Sequence, residues 1–467
     1  MTVNNRNSDS KGQDAVSTKK MAFYAFGSII SMHLIVAFDT YIFYFYEVEV
    51  GLPVLMLSLA VIIYTVWALV SSPIIGYLTD RPFKWSKKYG FRLPWIIFGC
   101  IPSLLFYILI FTPPNTNPWA IFWYLIIIAC FFETFFTIYR LHYSGLYANL
   151  FREDSERKKA TVISFLISNP ITLVLTMFPL FIIVYGNRNT FVLTALITVV
   201  IMFICHILTI PGIIESDEMK KRFLQGYINE HSKEKVPFSK ILKVVVRNKN
   251  FIVTLASFAL TYVALMLYYA SMMYFYKDIL RVPLSNLIWA ALGAFLTMTI
   301  SMPLWNKIGQ KHEHKTMYIV GLILSAATLI PFLWITTLTE FTIIVIVRGV
   351  AMAGFIIMFQ PMAADNMDEI TLKCERHVEP TLSGLSSIIF RSSAIFIALI
   401  IGLVHIITGY NPNPDAIQTP LAVLGIRVHT AVIPLILLML ACIVILPYDL
   451  TSEKKNAIKK KMRELGL

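Results

Sequence analysis

Long apolar runs alternate with short polar stretches along the whole chain. Because a helix needs roughly 20 residues to cross a hydrocarbon core about 30 Å thick, runs of this length each predict one membrane crossing. Bounded by charged residues or by Pro, Asn and Gly clusters, the runs lie at 21–46, 54–78, 94–112, 119–150, 161–185, 191–212, 251–276, 286–305, 316–336, 341–364, 381–409 and 426–447. The pattern predicts an all-α membrane protein with twelve transmembrane helices.

The composition agrees with this pattern. Of the 467 residues, 57% are apolar and 14% are charged, whereas a soluble globular chain has about 45–50% apolar and about 25% charged residues. The composition excludes a soluble enzyme, a coiled coil and a disordered chain. Residues 1–20 are polar and lack the apolar segment of a signal peptide, so we expect the first span to be retained.

The net charge of +13 is a topological signal in such a chain. The loops on one side hold most of the 40 lysines and arginines, in the segments 1–20, 79–93, 151–160, 213–250, 306–315, 365–380 and 448–467. The opposite loops hold Arg188, Lys277 and Arg281. The positive-inside rule predicts that both termini are cytoplasmic. We expect the protein to lie in the plasma membrane. The expected partners are the lipid bilayer and a small-molecule solute, with no nucleic acid.

The chain contains an internal repeat at an offset of 230 residues. Tyr-Phe-Tyr at 44–46 recurs at 274–276, Pro53 recurs as Pro283, and Ser71-x-Pro73 recurs as Ser301-x-Pro303. The repeat predicts six-helix bundles at 21–212 and 251–447, joined by a cytoplasmic linker at 213–250 and flanked by tails at 1–20 and 448–467. This layout resembles that of the major facilitator transporters, in which substrate binds between the halves near the midplane.

Several segments carry a more specific resemblance, in their order and spacing. They are residues 44–46 with 50–53, 73–81, 92–95, 154–157, 409–410, 425–427 and 447–449. In these segments the chain resembles the glycoside-pentoside-hexuronide:cation symporters, the melibiose permease family. The resemblance implies a symporter that carries a sugar or a sugar derivative together with a cation.

The positions of the family's cation site depart from its pattern. Where members carry two aspartates on the second helix, this chain has Ala68 and Ser72. A sodium ion needs several hard oxygen ligands and usually a carboxylate, which alanine does not supply. The sequence therefore favours proton coupling over sodium, or uniport, with Asp39 and Glu133 as the candidate proton-coupling carboxylates.

The substrate positions depart as well. Arg140 occupies a position where the resemblance implies a carboxylate, and Ser144 occupies the position of the aromatic residue that stacks on the sugar ring. Arg391 keeps the positive charge of the lysine that the resemblance implies at its position. We predict that Arg140, Arg391, Tyr143 and Ser144 bind substrate, and that the substrate is anionic or zwitterionic, such as a hexuronide-like sugar acid. An alternative is that Arg140 pairs internally with Glu133 or Asp39.

Charges elsewhere suggest further roles. Four arginines lie inside the predicted spans against two carboxylates, and Arg427 is expected to reach the outer interface. Charged residues in the cytoplasmic loops can form ion pairs between the halves that close the cytoplasmic side of the protein. The alternative is that they are solvated charges that set the topology. These candidate gate residues are Asp80, Arg81, Glu156, Arg157, Asp365 and Asp368.

No sequence motif indicates catalysis. The five cysteines have no CxxC spacing, and no metal site, cofactor or enzymatic activity is expected. The chain is expected to be a monomer. Two alternatives stay open: carriage of a lysolipid or another organic anion, since lysophospholipid symporters belong to the same superfamily branch, and a sensor that no longer transports.

Overall fold

The computed structural model describes residues 16–79, 81–151, 153–221, 223, 225, 238–374 and 379–465. Within these ranges the regular structure is entirely helical, and twelve helices are long and apolar enough to cross a membrane. The first six are α1 (Thr18–Glu49), α2 (Val54–Thr79), α3 (Leu93–Ile110), α4 (Pro118–Tyr147), α5 (Ser155–Ile182) and α6 (Arg188–Ile213). The second six are α7 (Lys249–Leu280), α8 (Leu284–Gly309), α9 (His314–Leu333), α10 (Leu338–Cys374), α11 (Gly384–Thr408) and α12 (Pro420–Val444). The predicted fold class is confirmed.

Two helices continue beyond their predicted ends as π-helical turns. The α-helical part of α1 ends at Tyr44 and continues as a π-helical turn over Phe45–Glu49. The α-helical part of α7 ends at Tyr274 and continues as a π-helical turn over Phe275–Leu280. The predicted helix ends at residues 46 and 276 left the charged residues that follow them outside the bundle. The π-helical turns instead carry these residues into its interior.

Side-chain caps define where several helices begin. Asn117 accepts a hydrogen bond from the N–H of Ala120 at the start of α4, and Thr419 accepts one from Ala422 at the start of α12. In both helices a proline follows the cap, where its missing N–H costs no hydrogen bond. A polar cap followed by a proline therefore marks the residue at which the chain leaves the loop and begins the next helix.

The helices pack as two six-helix halves. Within the first half α1 packs on α6 and α5, and within the second α7 packs on α12 and α9 packs on α10. The halves meet where α2 packs on α11 and α1 packs on α7. At this junction the Ser58 hydroxyl donates to the Ala398 carbonyl over 2.9 Å.

Two shorter helices lie at the end of the bundle where α1 begins. They are the linker helix (Phe238–Arg247) before α7 and the tail helix (Ser452–Leu465) after α12. We call this end the terminal side. The opposite end, where α1 stops at Glu49 and α7 stops at Leu280, is the far side.

Candidate functional site

A cavity of about 740 Å³ separates the halves. Its lining comes from α1, α2 and α4 of the first half and from α7, α10 and α11 of the second. On α7 the lining residues run from Phe251 to Leu265, the half of that helix nearest the terminal side. The cavity therefore extends from the middle of the bundle toward the terminal side.

The inner end of the cavity carries an ion pair between the halves. The Arg391 guanidinium on α11 donates to the Glu133 carboxylate on α4. The Thr137 hydroxyl donates to Glu133 over 2.8 Å and accepts from Arg391 over 3.3 Å. Both predicted residues therefore lie in the cavity, and they are bound to each other.

Arg140 and Asp39 line the same cavity. In the described part of the chain, neither side chain has a hydrogen-bond or ion-pair partner. The predicted alternative, in which Arg140 is held by Glu133 or Asp39, is not what the structure contains, because Glu133 binds Arg391 instead. The cavity thus presents one cationic and one anionic group that are not neutralised by direct protein contact.

The other two predicted substrate residues do not line the cavity. The Tyr143 ring stacks on Tyr24 with ring centroids 4.5 Å apart, and its hydroxyl donates to the Tyr24 carbonyl over 2.6 Å. These contacts direct Tyr143 into the packing between α1 and α4. Ser144 is exposed, and its hydroxyl donates to the Leu141 carbonyl within the same helix.

The two positions at which aspartates are missing lie beside a protein cation. The Ala68 carbonyl accepts from the Ser72 hydroxyl over 2.7 Å and from the Arg391 guanidinium over 3.4 Å. Ala68 lines the cavity and is buried. A guanidinium at this carbonyl disfavours a second cation in the same place, because like charges repel strongly where water is scarce.

The cavity walls are apolar and aromatic. Phe258 contacts Phe359 with ring centroids 4.5 Å apart, and Tyr262 contacts Phe390 with centroids 5.3 Å apart. All four residues line the cavity, together with Phe251. The site therefore combines a charged inner end with hydrophobic walls nearer the terminal side.

A buried polar network closes the far side. Glu47 on α1 accepts from the Tyr274 hydroxyl over 2.6 Å and contacts His405 Nδ1 over 2.8 Å. His405 Nε2 lies 3.2 Å from His429 Nε2. The sequence interpretation missed this network, because Glu47 falls one residue beyond the predicted first span and no local pattern relates it to a histidine 358 residues away.

A second buried group supports the same closure. Lys277 pairs with Asp278 over 3.0 Å, and Asp278 accepts from the Tyr410 hydroxyl over 2.9 Å. Lys277 and Asp278 are 9% and 5% exposed, although they were assigned to a loop. Buried Glu47 reduces the predicted surplus of arginines over carboxylates within the spans, whereas the charge of Asp278 is offset by Lys277 beside it.

The remaining buried arginines contact backbone oxygens. Arg348 donates to the Ser325 carbonyl over 3.0 Å and lies over the Tyr268 ring. Arg427 donates to the carbonyls of Phe332 and Ile335 over 2.6 and 2.9 Å. Its side chain is buried rather than extended to the outer interface, because the end of α9 leaves carbonyls that need donors.

Three of the candidate gate residues contact groups of their own half. Arg81 lies over the Tyr77 ring, Glu156 accepts from the N–H of Val16, and Arg157 donates to the Phe151 carbonyl. Asp80 lies outside the described residues. Asp368 is half-buried on the terminal segment of α10. Pairing between the halves stays a prediction for a conformation closed on the terminal side.

Asp365 binds the tail region instead. His314 Nδ1 lies 2.9 Å from the Asp365 carboxylate, and Lys455 of the tail helix lies 3.5 Å from it. Lys455 also contacts Glu313 over 3.7 Å, and Glu313 accepts from the N–H of Ser452 over 2.9 Å. This cluster attaches the tail helix to α9 and α10.

Comparisons with known proteins agree with this architecture. The family described as "MFS/sugar transport protein" matches residues 23–452. Sodium-dependent lysophosphatidylcholine symporter 1 of Gallus gallus is 23% identical over 455 residues, which cover 87% of this chain and 82% of that protein. Uncharacterized symporter YnaJ of Bacillus subtilis is 22% identical over 465 residues, which cover 95% of each chain.

Among solved structures, a bacterial homologue of the human drug peptide transporters PepT1 and PepT2 superposes with a TM-score of 0.60 at 10% identity. The match covers 96% of this chain and 100% of that one, and it confirms the predicted major facilitator fold. With two six-helix halves around a central cavity, and with the family matched over nearly its whole length, the chain belongs to the MFS/sugar transport protein family of secondary transporters.

Proposed function

We propose that this chain transports an amphipathic solute with an anionic group by alternating access. The observation that carries the proposal is the Arg140 guanidinium, which lines the central cavity without a hydrogen-bond or ion-pair partner among the described residues. A cation that lies at membrane depth without a partner is costly, so binding of a substrate anion beside the half-buried Arg140 is favourable. The guanidinium fork suits a phosphate or a carboxylate in particular.

Asp39 extends the proposal to zwitterions. It lines the same cavity and has no direct partner in the described chain. With Glu133 and Arg391 bound to each other, the formal charges at the inner end of the cavity cancel. A solute that carries both an anionic and a cationic group leaves the loaded cavity neutral, which favours its passage through a low-dielectric interior.

The walls favour a solute with an apolar portion. Phe251, Phe258, Phe359 and Phe390 line the cavity, and its volume of about 740 Å³ lies within the range of about 300–1,000 Å³ for sites that enclose a small organic molecule. A lysophospholipid has the required chemistry, with a charged headgroup and an acyl chain. The similarity to lysophosphatidylcholine symporters over most of their length supports this class.

A sugar acid is the second candidate. The family description and the polar side chains of the cavity, among them Gln360, Asn366 and Ser386, favour it. A sugar acid would place its carboxylate at Arg140 and its ring against the aromatic walls. It would leave the apolar part of the cavity without an apolar partner, so we rank it below the lysophospholipid.

Orientation and coupling complete the proposal. By the distribution of lysine and arginine the terminal side is the cytoplasmic side of the plasma membrane, so the cavity is open inward. Because Arg391 lies at the Ala68 carbonyl, we propose that coupling to sodium is absent. Proton coupling, for which Asp39 and Glu133 are the carboxylates in the cavity, or uniport remains.

Uptake into proteoliposomes tests the substrate class. We expect uptake of a lysophospholipid that is independent of sodium, at least tenfold weaker in Arg140→Ala and partly restored in Arg140→Lys. Arg188→Ala, which removes an arginine at the start of α6 outside the cavity, serves as the matched control. Uptake of a sugar acid alone selects the second candidate, and binding without uptake indicates a sensor. Sodium-stimulated uptake of a neutral sugar contradicts the proposal.

A further inference from the structure

A second cavity lies at the terminal side of the second half, and we call it the basic pocket. Its volume is about 490 Å³. Its lining comes from the linker helix, the start of α7, the end of α10, the segment after α12 and the tail helix. Among the described residues, none lines both the basic pocket and the central cavity. The two cavities are therefore separate sites.

Positive charge dominates the lining of the basic pocket. Five cationic side chains and two carboxylates contribute to it. They are Arg247, Lys249, Lys373, Lys454 and Lys461, and Glu369 and Asp449. Over the described residues the lining thus carries three positive charges in excess.

Both carboxylates of the basic pocket are already paired. Lys373 donates to Glu369 over 2.7 Å, and Lys454 donates to Asp449 over 2.9 Å. The side-chain amide of Asn250 donates to Glu369 over 3.0 Å, and its oxygen accepts from the N–H of Asp449 over 3.0 Å. Because Asn250 is 5% exposed, these contacts hold both acidic residues in defined positions.

The other three cations are not neutralised. In the part of the chain that the structure describes, the side chains of Arg247, Lys249 and Lys461 have no hydrogen-bond or ion-pair partner. The hydrogen bond from Lys454 and, more weakly, the charge of Lys249 lower the pKa of the Asp449 carboxyl. Lys249 is therefore close enough to act on Asp449 but forms no ion pair with it, and an anion in the pocket would meet all three charges.

The tail helix presents one face to the basic pocket. Its lining positions are Lys454, Ala457, Ile458 and Lys461. Residues at this spacing lie on the same side of a helix. Lys455, the next residue after Lys454, holds the helix against α9 and α10 through Glu313 and Asp365. The tail helix is thus anchored by a different residue while Lys454 and Lys461 line the pocket.

The basic pocket lies at the depth where the apolar spans end. Lys249 is the first residue of α7, and Asp449 follows the last residue of α12, Val444, by one helical turn or slightly more. Apolar side chains of Leu372 and Leu450 also line the pocket. Lipid headgroups occur at this depth, and solutes reach it from the water.

We propose that the basic pocket binds a molecule with two or more phosphate groups. A phosphate monoester carries a charge of about −1.5 to −2 at neutral pH, so two of them balance three excess cations, whereas one carboxylate balances only one. A guanidinium and several ammonium groups are also the side chains that bind phosphate oxygens best. The molecule is either the headgroup of an anionic lipid or a free phosphorylated solute.

Occupancy of the pocket should fasten the tail helix. The bound phosphates would contact Arg247 or Lys249 on one wall and Lys461 on the other, and so connect the start of α7 to the tail helix. The proposal concerns a site outside the transport cavity and does not rest on the proposed transport function.

Hydrogen exchange of the full-length protein in nanodiscs tests the site. Exchange is compared in phosphatidylcholine alone, with added inositol trisphosphate, and with phosphatidylinositol bisphosphate in the bilayer. We expect slower exchange over residues 452–465 and 245–250 with at least one of the two phosphorylated probes, and no change with inositol itself. Protection by the lipid alone identifies a headgroup, and protection by the soluble probe identifies a free phosphate. If neither probe protects these residues, the proposal is wrong.

Two pairs of substitutions locate the bound phosphate. Arg247→Gln with Lys461→Gln removes two unpaired cations of the pocket, and half-maximal protection should then need about tenfold more probe. Lys459→Gln with Lys460→Gln removes the same charge from exposed positions of the tail helix outside the pocket, and should change the required amount less than about threefold. Equal losses in the two pairs would mean that the probe is attracted by net charge alone and would overturn the proposal.

Two single variants complete the test. Asp449→Asn removes a negative charge from the lining while it keeps the shape of the side chain, so binding should tighten by about two- to fivefold; this gain cannot result from misfolding. Arg140→Ala, in the central cavity, should leave protection of the tail helix unchanged. If Asp449→Asn weakens binding, or if Arg140→Ala abolishes it, the phosphate is not bound in the basic pocket.

Discussion

Arg391 and Glu133 show what sequence reasoning achieves for a single residue and where it stops. The likeness of Arg391 to a family lysine predicted that it lies at the substrate site. Its partner is 258 residues away along the chain, and no periodicity relates residues at that separation. The pairing became evident only when α4 and α11 were brought together by the packing of the halves.

Replacing one member of the Arg391–Glu133 pair should destabilise the protein more than replacing both. In Arg391→Met the Glu133 carboxylate stays 1% exposed without its cation, and the loss of a partner from a buried pair costs about 3–5 kcal/mol of stability. We expect a lower unfolding temperature in detergent for Arg391→Met. The double variant Glu133→Gln with Arg391→Met should recover most of the loss, because no charge is then left unpaired.

Thermal unfolding followed by tryptophan fluorescence measures both effects. Lys307→Met, at an exposed lysine on the terminal side of α8, controls for the loss of a positive charge. If the double variant is less stable than Arg391→Met, the two residues do not act as a pair.

At the level of helices, the repeat is visible in packing as well as in sequence. The π-helical turns of α1 and α7 each begin at the phenylalanine of the repeated Tyr-Phe-Tyr segment. Hydropathy located all twelve spans, but it ended these two early, because Glu47, Lys277 and Asp278 resemble loop residues. Their burial depends on partners from other helices, which a local pattern does not contain.

Close helix packing in both halves depends on a glycine. A Cβ at Gly99 on α3 would lie 2.5 Å from the backbone nitrogen of Tyr139 on α4, and a Cβ at Gly321 on α9 would lie 2.5 Å from that of Phe355 on α10. Since backbone atoms cannot move aside cheaply, Gly99→Ala and Gly321→Ala should each destabilise the protein by about 1–3 kcal/mol. Thermal unfolding of each purified variant measures the loss.

Gly384 on α11 provides the matched control. No atom lies within 4 Å of a Cβ built there, and alanine favours a helix over glycine by about 0.5–1 kcal/mol. Gly384→Ala should therefore unfold at the same temperature or slightly higher. Equal losses at all three glycines would contradict a specific role for close packing.

The tail helix should detach when its anchors are removed or protonated. Lys455→Ala removes the contacts to Glu313 and Asp365 and should increase hydrogen exchange over residues 452–465. Lys459→Ala, at an exposed position on the same helix, should not. If both variants exchange alike, the anchor is elsewhere.

The pH dependence of this attachment has a defined sign. Burial, the largest single cause, raises the pKa of the Glu313 carboxyl, but the hydrogen bonds from Ser452 and the charge of Lys455 together lower it by more, so the pKa lies below its ordinary value. A lowered pKa means that the contact stabilises the folded tail above about pH 4.5 and is lost as the pH falls through the pKa of the folded state. We expect hydrogen exchange of the tail helix to be slow at pH 7 and faster near pH 4, with a small amplitude because Glu313 is partly exposed.

For the whole molecule, the sequence predicted two halves around a central site. The charged residues that it singled out, Arg140, Arg391, Asp39 and Glu133, line the cavity, and their roles in binding and coupling stay predictions. It did not indicate which side is closed, because that depends on contacts between residues of different halves, such as Glu47 with His405. Tyr143 was misplaced for a related reason: its orientation is determined by Tyr24 on another helix.

Reaction of introduced cysteines with a membrane-impermeant maleimide tests the asymmetry of the molecule. Gln360→Cys lies at an exposed position in the terminal half of the cavity, and Ser271→Cys lies in the far-side seal. In a background without native cysteines, Gln360→Cys should react in inside-out vesicles and be spared in right-side-out vesicles, because the terminal side is predicted to be cytoplasmic. Ser271→Cys should be protected in both, since it is fully buried.

Combining Ser271→Cys with Gly402→Leu provides the complementary measurement. A side chain at Gly402 would meet the Ser58 hydroxyl across the junction. This wedge should open the far side, so that Ser271→Cys reacts in right-side-out vesicles, and close the terminal side, so that Gln360→Cys becomes protected in inside-out vesicles. Reciprocal changes at the two cysteines are required if the halves rock as rigid bodies around the cavity. If the wedge exposes Ser271→Cys and leaves Gln360→Cys reactive, the two sides open independently, and the molecule would form a continuous pore in that variant rather than alternate between two conformations.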